Sequence, residues 1–322
     1  MRWWVLVLVA CSSGAGEELL STGVVDTSVG DTSNDTGVSL VDVAETFSVE
    51  RSVDVLFAVD VSCSMADSQA VLADGFSQAF TALVSSGIDY HVGVISTDMD
   101  DPTQWGVLSE ARGHRWIEPS TPDPDLVFRE LALLGTDGSG AELGLSAVYA
   151  ALGGDAATGS NMGFRRPDAW MQVVVVSDDD DEGDGPPVIT TKEWAWWFDH
   201  LTATPEMSAV HSVVDSTRST PYMELSQMTG GSIADISQVD EADYLALQVV
   251  LLPPPTTTFP LAQVPVEGTL VVELSVGGAS PFLLAAGLDA DYIYDETQQA
   301  VVLNTREPAH GDVVSVSYQA LP

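Results

Sequence analysis

From about residue 50, short continuous apolar runs alternate with stretches of helical period. "VDVLFAV" (53–59) has the composition of a strand buried on both faces. Downstream, Leu72, Phe76, Phe80 and Val84 recur every fourth residue, with Ala79 and Leu83 beside them, so one apolar helix face runs up to Gly87. "YHVGVIST" is the next strand, and "DLVFRELALLG" and "AELGLSAVYAALGG" read as helices. "WMQVVVVS" is apolar on both faces and long enough for a central strand. A helix in "TTKEWAWWFDHLT" puts Trp194, Trp197, Phe198 and Leu201 on its core face and Trp196 off it. "SAVHSVV" (strand), "PYMELSQMTGG" (helix), "SIADI" (strand) and "EADYLALQVVLL" (helix) close the series. This alternation predicts an α/β fold, a doubly wound and mostly parallel sheet flanked by helices, over residues 50–252. "QWGVLSEARGHRWIEPS" is a candidate short hairpin, forming an antiparallel edge.

The pattern changes on both sides of that region. "PPPTTT" (253–258) reads as a stiff linker. Beyond it, "GTLVVELSV", "DYIYDETQQAVVLNT" and "GDVVSVSYQAL" are rich in β-branched residues and lack helical period. Residues 259–322 are therefore expected to form a small antiparallel β domain, a sandwich, with a hairpin turn near Glu296 to Gln299. Residues 12–49 are rich in Ser, Thr, Gly and Asp, and read as a flexible acidic tether.

Charge narrows the choice of partners. The 322 residues include 48 acidic and only 10 basic ones, for a formal net charge of -38, and Lys192 is the single lysine. Nucleic acid is excluded as an expected partner, because phosphate binding needs clustered Lys and Arg. Such a surface concentrates cations instead, and it also aids solubility. At the N-terminus, "MRWWVLVLVAC" has one positive charge and then an apolar run too short to span a bilayer. "LVAC" resembles a bacterial lipobox, so residues 1–11 are expected to be a lipoprotein signal with Cys11 as the acylated residue. The resemblance implies a lipid anchor at the bacterial cell envelope, and Ser12 is compatible with the outer membrane. An ordinary signal peptide is the alternative. With Cys11 acylated, Cys63 has no partner for a disulfide, and its expected place is as a small buried apolar group.

The chemistry gathers at strand ends. Ligands of doubly wound sheets bind at the carboxyl ends of strands, where strand order reverses. Asp60 follows the first strand and Asp178 follows "WMQVVVVS". If those strands are neighbours, two carboxylates meet, which is costly without a cation. Ser62 and Ser64 supply hydroxyls from the first loop, and Ser139 in "GTDGSGAELGL" supplies one just before a helix. A donor set made only of oxygen suits Mg2+ or Mn2+, with Ca2+ as an alternative, over Zn2+. The acidic residues of "SDDDDEGDG" (177–185), and Asp98, Asp100 and Asp101, read as a solvated rim, with an auxiliary ion site as the other reading.

Asp60-Val61-Ser62-Cys63-Ser64 resembles the D-x-S-x-S signature of von Willebrand factor A domains, whose metal-ion-dependent adhesion site is built from three loops in this order. The resemblance covers roughly residues 50 to 252. It implies direct metal ligation by Ser62 and Ser64, with Asp178 as the third-loop ligand. Ser139 would stand where the family usually has Thr, and Thr136 competes for that role. One coordination position would stay open for water or for a carboxylate on a protein or glycan partner. The expectation is a non-enzymatic binding protein that touches the membrane through its lipid anchor only. Two alternatives remain: a metal-dependent phosphotransferase, and a structural envelope component with a non-functional site. A phosphotransferase would favour a second carboxylate two residues after Asp60, where Ser62 stands.

Overall fold

The structure is a computed structural model that describes residues 24–26, 39–138, 140, 142–181, 190–201, 208–217, 221–240, 252, 253 and 255–322. The chain divides into two compact units, Ser52–Pro253 and the combination of Met1–Arg51 with Pro254–Pro322.

The discontinuous unit begins with β1 (Val24–Asp26), paired antiparallel with β2 (Val41–Ser48). This corrects the tether expected over 12–49, whose last part is a strand. Along β2 the positions of Val43, Glu45 and Phe47 alternate inward, a period-two pattern masked in the sequence by the charged Glu45 at an inward position. The signal segment 1–11 with Cys11, and the rest of the tether through residue 38 apart from β1, lie outside the described residues.

The α/β unit follows. In order it contains β3 (Ser52–Val59), a 3-10 turn (Cys63–Met65), α1 (Ala66–Ser85), β4 (Asp89–Ser96), β5 (Trp116–Ile117), α2 (Pro124–Ala132), α3 (Gly144–Leu152), α4 (Asp155–Thr158), β6 (Trp170–Ser177), α5 (Thr191–Asp199), β7 (Ser208–Val214), α6 (Pro221–Thr229) and β8 (Ile233–Asp235). The sheet order is β5-β4-β3-β6-β7-β8. Neighbours pair in parallel except β4 and β5, which form the expected antiparallel edge. Residues 241–251 of the last expected helix lie outside the described residues.

Both faces of this sheet are covered, which is why its central strands are apolar at almost every position. Val55, Phe57 and Val59 of β3 and Val174 and Val176 of β6 face one core. There Phe57 meets Phe76 of α1 and Phe128 of α2 at ring separations of 4.7 and 5.2 Å. Leu56, Ala58, Val173 and Val175 face the other core, with Trp194 and Phe198 of α5. Trp196 is 64% exposed, as its position off the apolar face of α5 predicts. Burying one large apolar side chain contributes about 1.5–3 kcal/mol, so these two cores set the sheet rigidly.

The chain then returns to the first unit with β9 (Thr258–Pro260), β10 (Val271–Ser275), β11 (Phe282–Leu283), β12 (Tyr292–Asp295), β13 (Ala300–Leu303) and β14 (Val313–Ala320). One antiparallel sheet has the order β1-β2-β14-β10-β11 and the other β12-β13-β9. Phe47 and Val316 of the first sheet and Phe259 and Val301 of the second share one core, so the sandwich architecture holds. The turn between β12 and β13 falls at 296–299, and Gln299 takes a left-handed φ of 50° there. Among the described residues, no helix is long and apolar enough to cross a membrane.

Candidate functional site

Strand order changes direction at β3, which has β4 on one side and β6 on the other. The loops leaving β3 and β6 therefore part at their carboxyl ends and leave a crevice. The backbone N–H of Asp60 donates to the Val176 carbonyl at 3.0 Å, so the ends of β3 and β6 are held side by side. The adjacency on which the predicted site depends is present.

Asp60 is fully buried. Its Oδ1 accepts the Ser62 backbone N–H at 2.7 Å, and its Oδ2 accepts the Ser177 hydroxyl at 2.7 Å. The first bond is an Asx-type turn, which bends the chain just after the strand. The 3-10 turn then brings Ser64 back, so that the Ser62 and Ser64 Oγ atoms lie 3.1 Å apart. Ser64 Oγ donates to Asp178 Oδ1 at 3.1 Å. Asp60, Ser62, Ser64 and Asp178 are thus brought together. Ser139 lies outside the described residues, and Thr136 occupies a half-buried position in the same loop. Cys63 is exposed, not buried as its type suggested: in the 3-10 turn both Cys63 and Ser64 are exposed, while Ser62 and Met65 are buried.

The loop joining α2 to α3 is fastened onto this turn. Gly138 N–H donates to the Val61 carbonyl at 3.1 Å. A Cβ on Gly138 would stand 2.2 Å from Val61 Cγ2, so only glycine permits the approach. Gln69 of α1, 2% exposed, spans both loops. Its Nε2 donates to the carbonyls of Asp60 and Gly135, each at 2.8 Å, and its Oε1 accepts the Gly135 N–H at 3.2 Å. Replacing Gln69 with Ala strips its partner from the buried Asp60 carbonyl and frees both backbone groups of the exposed Gly135. We expect a loss of about 1–3 kcal/mol in urea unfolding.

Sequence reasoning missed Glu142, which is 1% exposed at the end of this loop. The Thr97 hydroxyl, just beyond β4, donates to Glu142 Oε2. Oε1 is buried without a hydrogen-bond partner, and the carboxyl lies beside that of Asp60. Burial pushes the Glu142 carboxyl up to about 8, the Thr97 hydroxyl opposes this, and the negative charges of Asp60 and Asp179 add to the rise. The residue stands inside the run that pointed to Ser139, but a hydroxyl was the expected ligand type. The available signal was a carboxylate just ahead of a helix in the site-forming loop.

The acidic rim has specific local partners. Asp181 Oδ2 accepts the Leu145 N–H in the first turn of α3 at 2.9 Å, and Asp181 also bonds the buried Tyr222 hydroxyl. Tyr222 in turn accepts the Gly144 N–H at 3.1 Å. Burial, with the Asp181 charge, holds the Tyr222 hydroxyl well above the usual phenol range. Asp98 Oδ1 accepts the Asp100 N–H at 2.8 Å, and Asp101 Oδ1 accepts the Thr103 N–H at 2.9 Å. These carboxylates stabilise turns and a helix start. Residues 182–185 of the acidic run lie outside the described residues.

Among the described residues, no group of three or more His, Cys, Asp or Glu side chains is arranged to hold a metal ion. The crevice offers a different donor set: the adjoining carboxyls of Asp60 and Glu142, the hydroxyls of Ser62 and Ser64, and Asp178 reached through Ser64. Every donor is oxygen, and one buried oxygen lacks a partner. That chemistry fits a hard divalent cation.

No family model and no curated protein matches the chain. Similar folds occur among solved structures. One is a von Willebrand factor type A protein from Catenulispora acidiphila, with 12% identity, TM-score 0.39, and coverage of 89% of this chain and 62% of that one. Another is proximal thread matrix protein 1 from the mussel byssus, with 11% identity, TM-score 0.39, and coverage of 63% and 47%. The pilus adhesin SpaC from Lactobacillus rhamnosus GG shows 12% identity, TM-score 0.39, and coverage of 92% and 43%. The chain spans less than two thirds of the length of each of these three.

Proposed function

We propose that this protein is a non-catalytic binding module of the bacterial envelope, held through a lipid on Cys11. In this reading a Mg2+-type cation in the crevice engages an acidic group on a protein or glycan partner. One observation carries it: Ser62, Ser64 and Asp178 form a continuous polar chain at the carboxyl ends of β3 and β6, beside the buried Asp60. Asp60 would act mainly by orienting the loop, since both its oxygens already accept hydrogen bonds. Ser62 and Ser64 would ligate directly. A site with neutral hydroxyl ligands leaves a cation electrophilic enough to take an oxygen from a partner. The non-catalytic part of the reading draws on position 62, where a phosphotransfer site would want a second carboxylate and the chain has a hydroxyl.

Calorimetric titration with Mg2+ and Mn2+ tests the site. We expect one cation per chain, with binding lost in Asp60→Ala. Undiminished binding in that variant would sink the assignment. Recovery of a partner from envelope extracts, abolished by chelator, is the expected result for the adhesive role. Turnover of phosphoester substrates would overturn the non-catalytic reading.

A further inference from the structure

We infer that Glu142 is a direct ligand of the cation, a carboxylate standing where a hydroxyl was expected. The inference rests on the cation reading of the crevice and deepens it by assigning the contribution of the loop between α2 and α3. Three observations carry it. Glu142 is 1% exposed, so its carboxyl ionises only with help from a neighbour. Thr97 engages Oε2 and fixes the carboxyl plane, while Oε1 is left buried with no donor facing it. The carboxyl adjoins that of Asp60, whose own oxygens are occupied by Ser62 and Ser177.

When both are ionised, two carboxylates side by side in a water-poor site repel strongly, and without a cation Glu142 therefore keeps its proton until the pH approaches about 8. A buried orphan oxygen also costs free energy unless something supplies positive charge to it. A divalent cation answers both requirements at once. It takes Oε1 as a ligand and screens Glu142 from Asp60. The Thr97 hydroxyl has the role common to partners of metal ligands, orienting the carboxyl through the oxygen that does not face the ion. The consequence is a more anionic site than two serines and one aspartate would make. Higher ligand charge favours tighter cation retention. A cation already facing this much negative charge holds an incoming carboxylate less strongly.

The test uses the full chain and Mn2+ as probe, with affinity read by calorimetry and coordinated water counted by proton relaxation. Glu142→Gln removes the charge and keeps the shape. We expect its Mn2+ affinity to fall by at least about tenfold, and bound Mn2+ to gain a water. The unfolding temperature of the cation-free variant should match or exceed that of the parent, because a neutral amide can donate to Asp60. Parental affinity and an unchanged water count in Glu142→Gln would overturn the inference and leave the cation site standing. Failure of the parent itself to bind Mn2+, Mg2+ or Ca2+ would overturn the site and the inference together. Should Glu142→Gln fold poorly, Glu142→Asp keeps the charge with a shorter reach. Affinity intermediate between the parent and Asp60→Ala supports the inference, and parental affinity with an unchanged water count counts against it.

Discussion

Replacing Arg166 with alanine is expected to destabilise the α/β unit by about 3–5 kcal/mol, the cost of stripping the partner from a buried ion pair. The charge left behind is Asp54, which sits within the apolar run of β3 and is 0% exposed. Its Oδ2 accepts the Arg166 backbone N–H at 2.6 Å, and its Oδ1 accepts Arg166 Nε at 2.8 Å. Arg166 also pairs with Asp89. His91 adds little direct bonding, since its Nδ1 donates to the Phe164 carbonyl at 2.7 Å and lies 3.7 Å from Asp54. Burial raises the Asp54 pKa even with Arg166 opposing it. Without the guanidinium the carboxyl would sit higher still and take up a proton on folding. The penalty should therefore be greatest at neutral pH and shrink in mildly acidic buffer. Urea unfolding at the two pH values measures this. A double variant that adds Asp54→Asn should recover part of the loss at pH 7. An equal penalty at both pH values would refute the role of the charge.

The second large effect is a pH dependence of the cation-free protein. The folded Glu142 carboxyl lies near 8, against an ordinary value of 4.5. A carboxyl raised on folding binds its proton more tightly in the native state. Its contribution is full below 4.5 and is lost as the pH rises through about 8. Chelator-treated protein should therefore unfold progressively more easily between those limits, and Glu142→Gln should flatten the slope. Added Mg2+ should restore stability most at the alkaline end, where the ionised pair gains most from a cation. Groups facing Glu142 with charge or a hydroxyl include Asp60, Asp179, Thr97 and Tyr222. A parent and a Glu142→Gln variant with superimposable pH profiles would contradict the raised Glu142 carboxyl.

Much of the candidate site is legible in the amino-acid sequence. D-x-S-x-S after a buried strand places Asp60, Ser62 and Ser64 through local geometry alone, because an Asx turn and one 3-10 turn return both hydroxyls to the strand end. The apolar run of β6 marks Asp178 as a strand-end residue. Glu142 is not legible in this way, because its significance lies in its closeness to Asp60, which is 82 residues earlier in the chain (142 less 60). Cys63 departs from expectation for a related reason. Cysteine is usually buried, but here the 3-10 turn leaves it exposed together with Ser64.

Local periodicity, then, determined by itself the strands of the α/β unit, most of the helices, the mostly parallel sheet and one loop of the site. These follow from which residues within a few positions can share a face. Tertiary structure alone decided the rest. It recruited Val41–Ser48, tether by composition, as a strand along β14. It gave Asp54 its partner Arg166, set Gln69 across two loops, and brought Glu142 against Asp60. Each of these joins residues far apart in sequence. Their energies come from pairing and desolvation, which exist only once the sheet has brought its strand ends together.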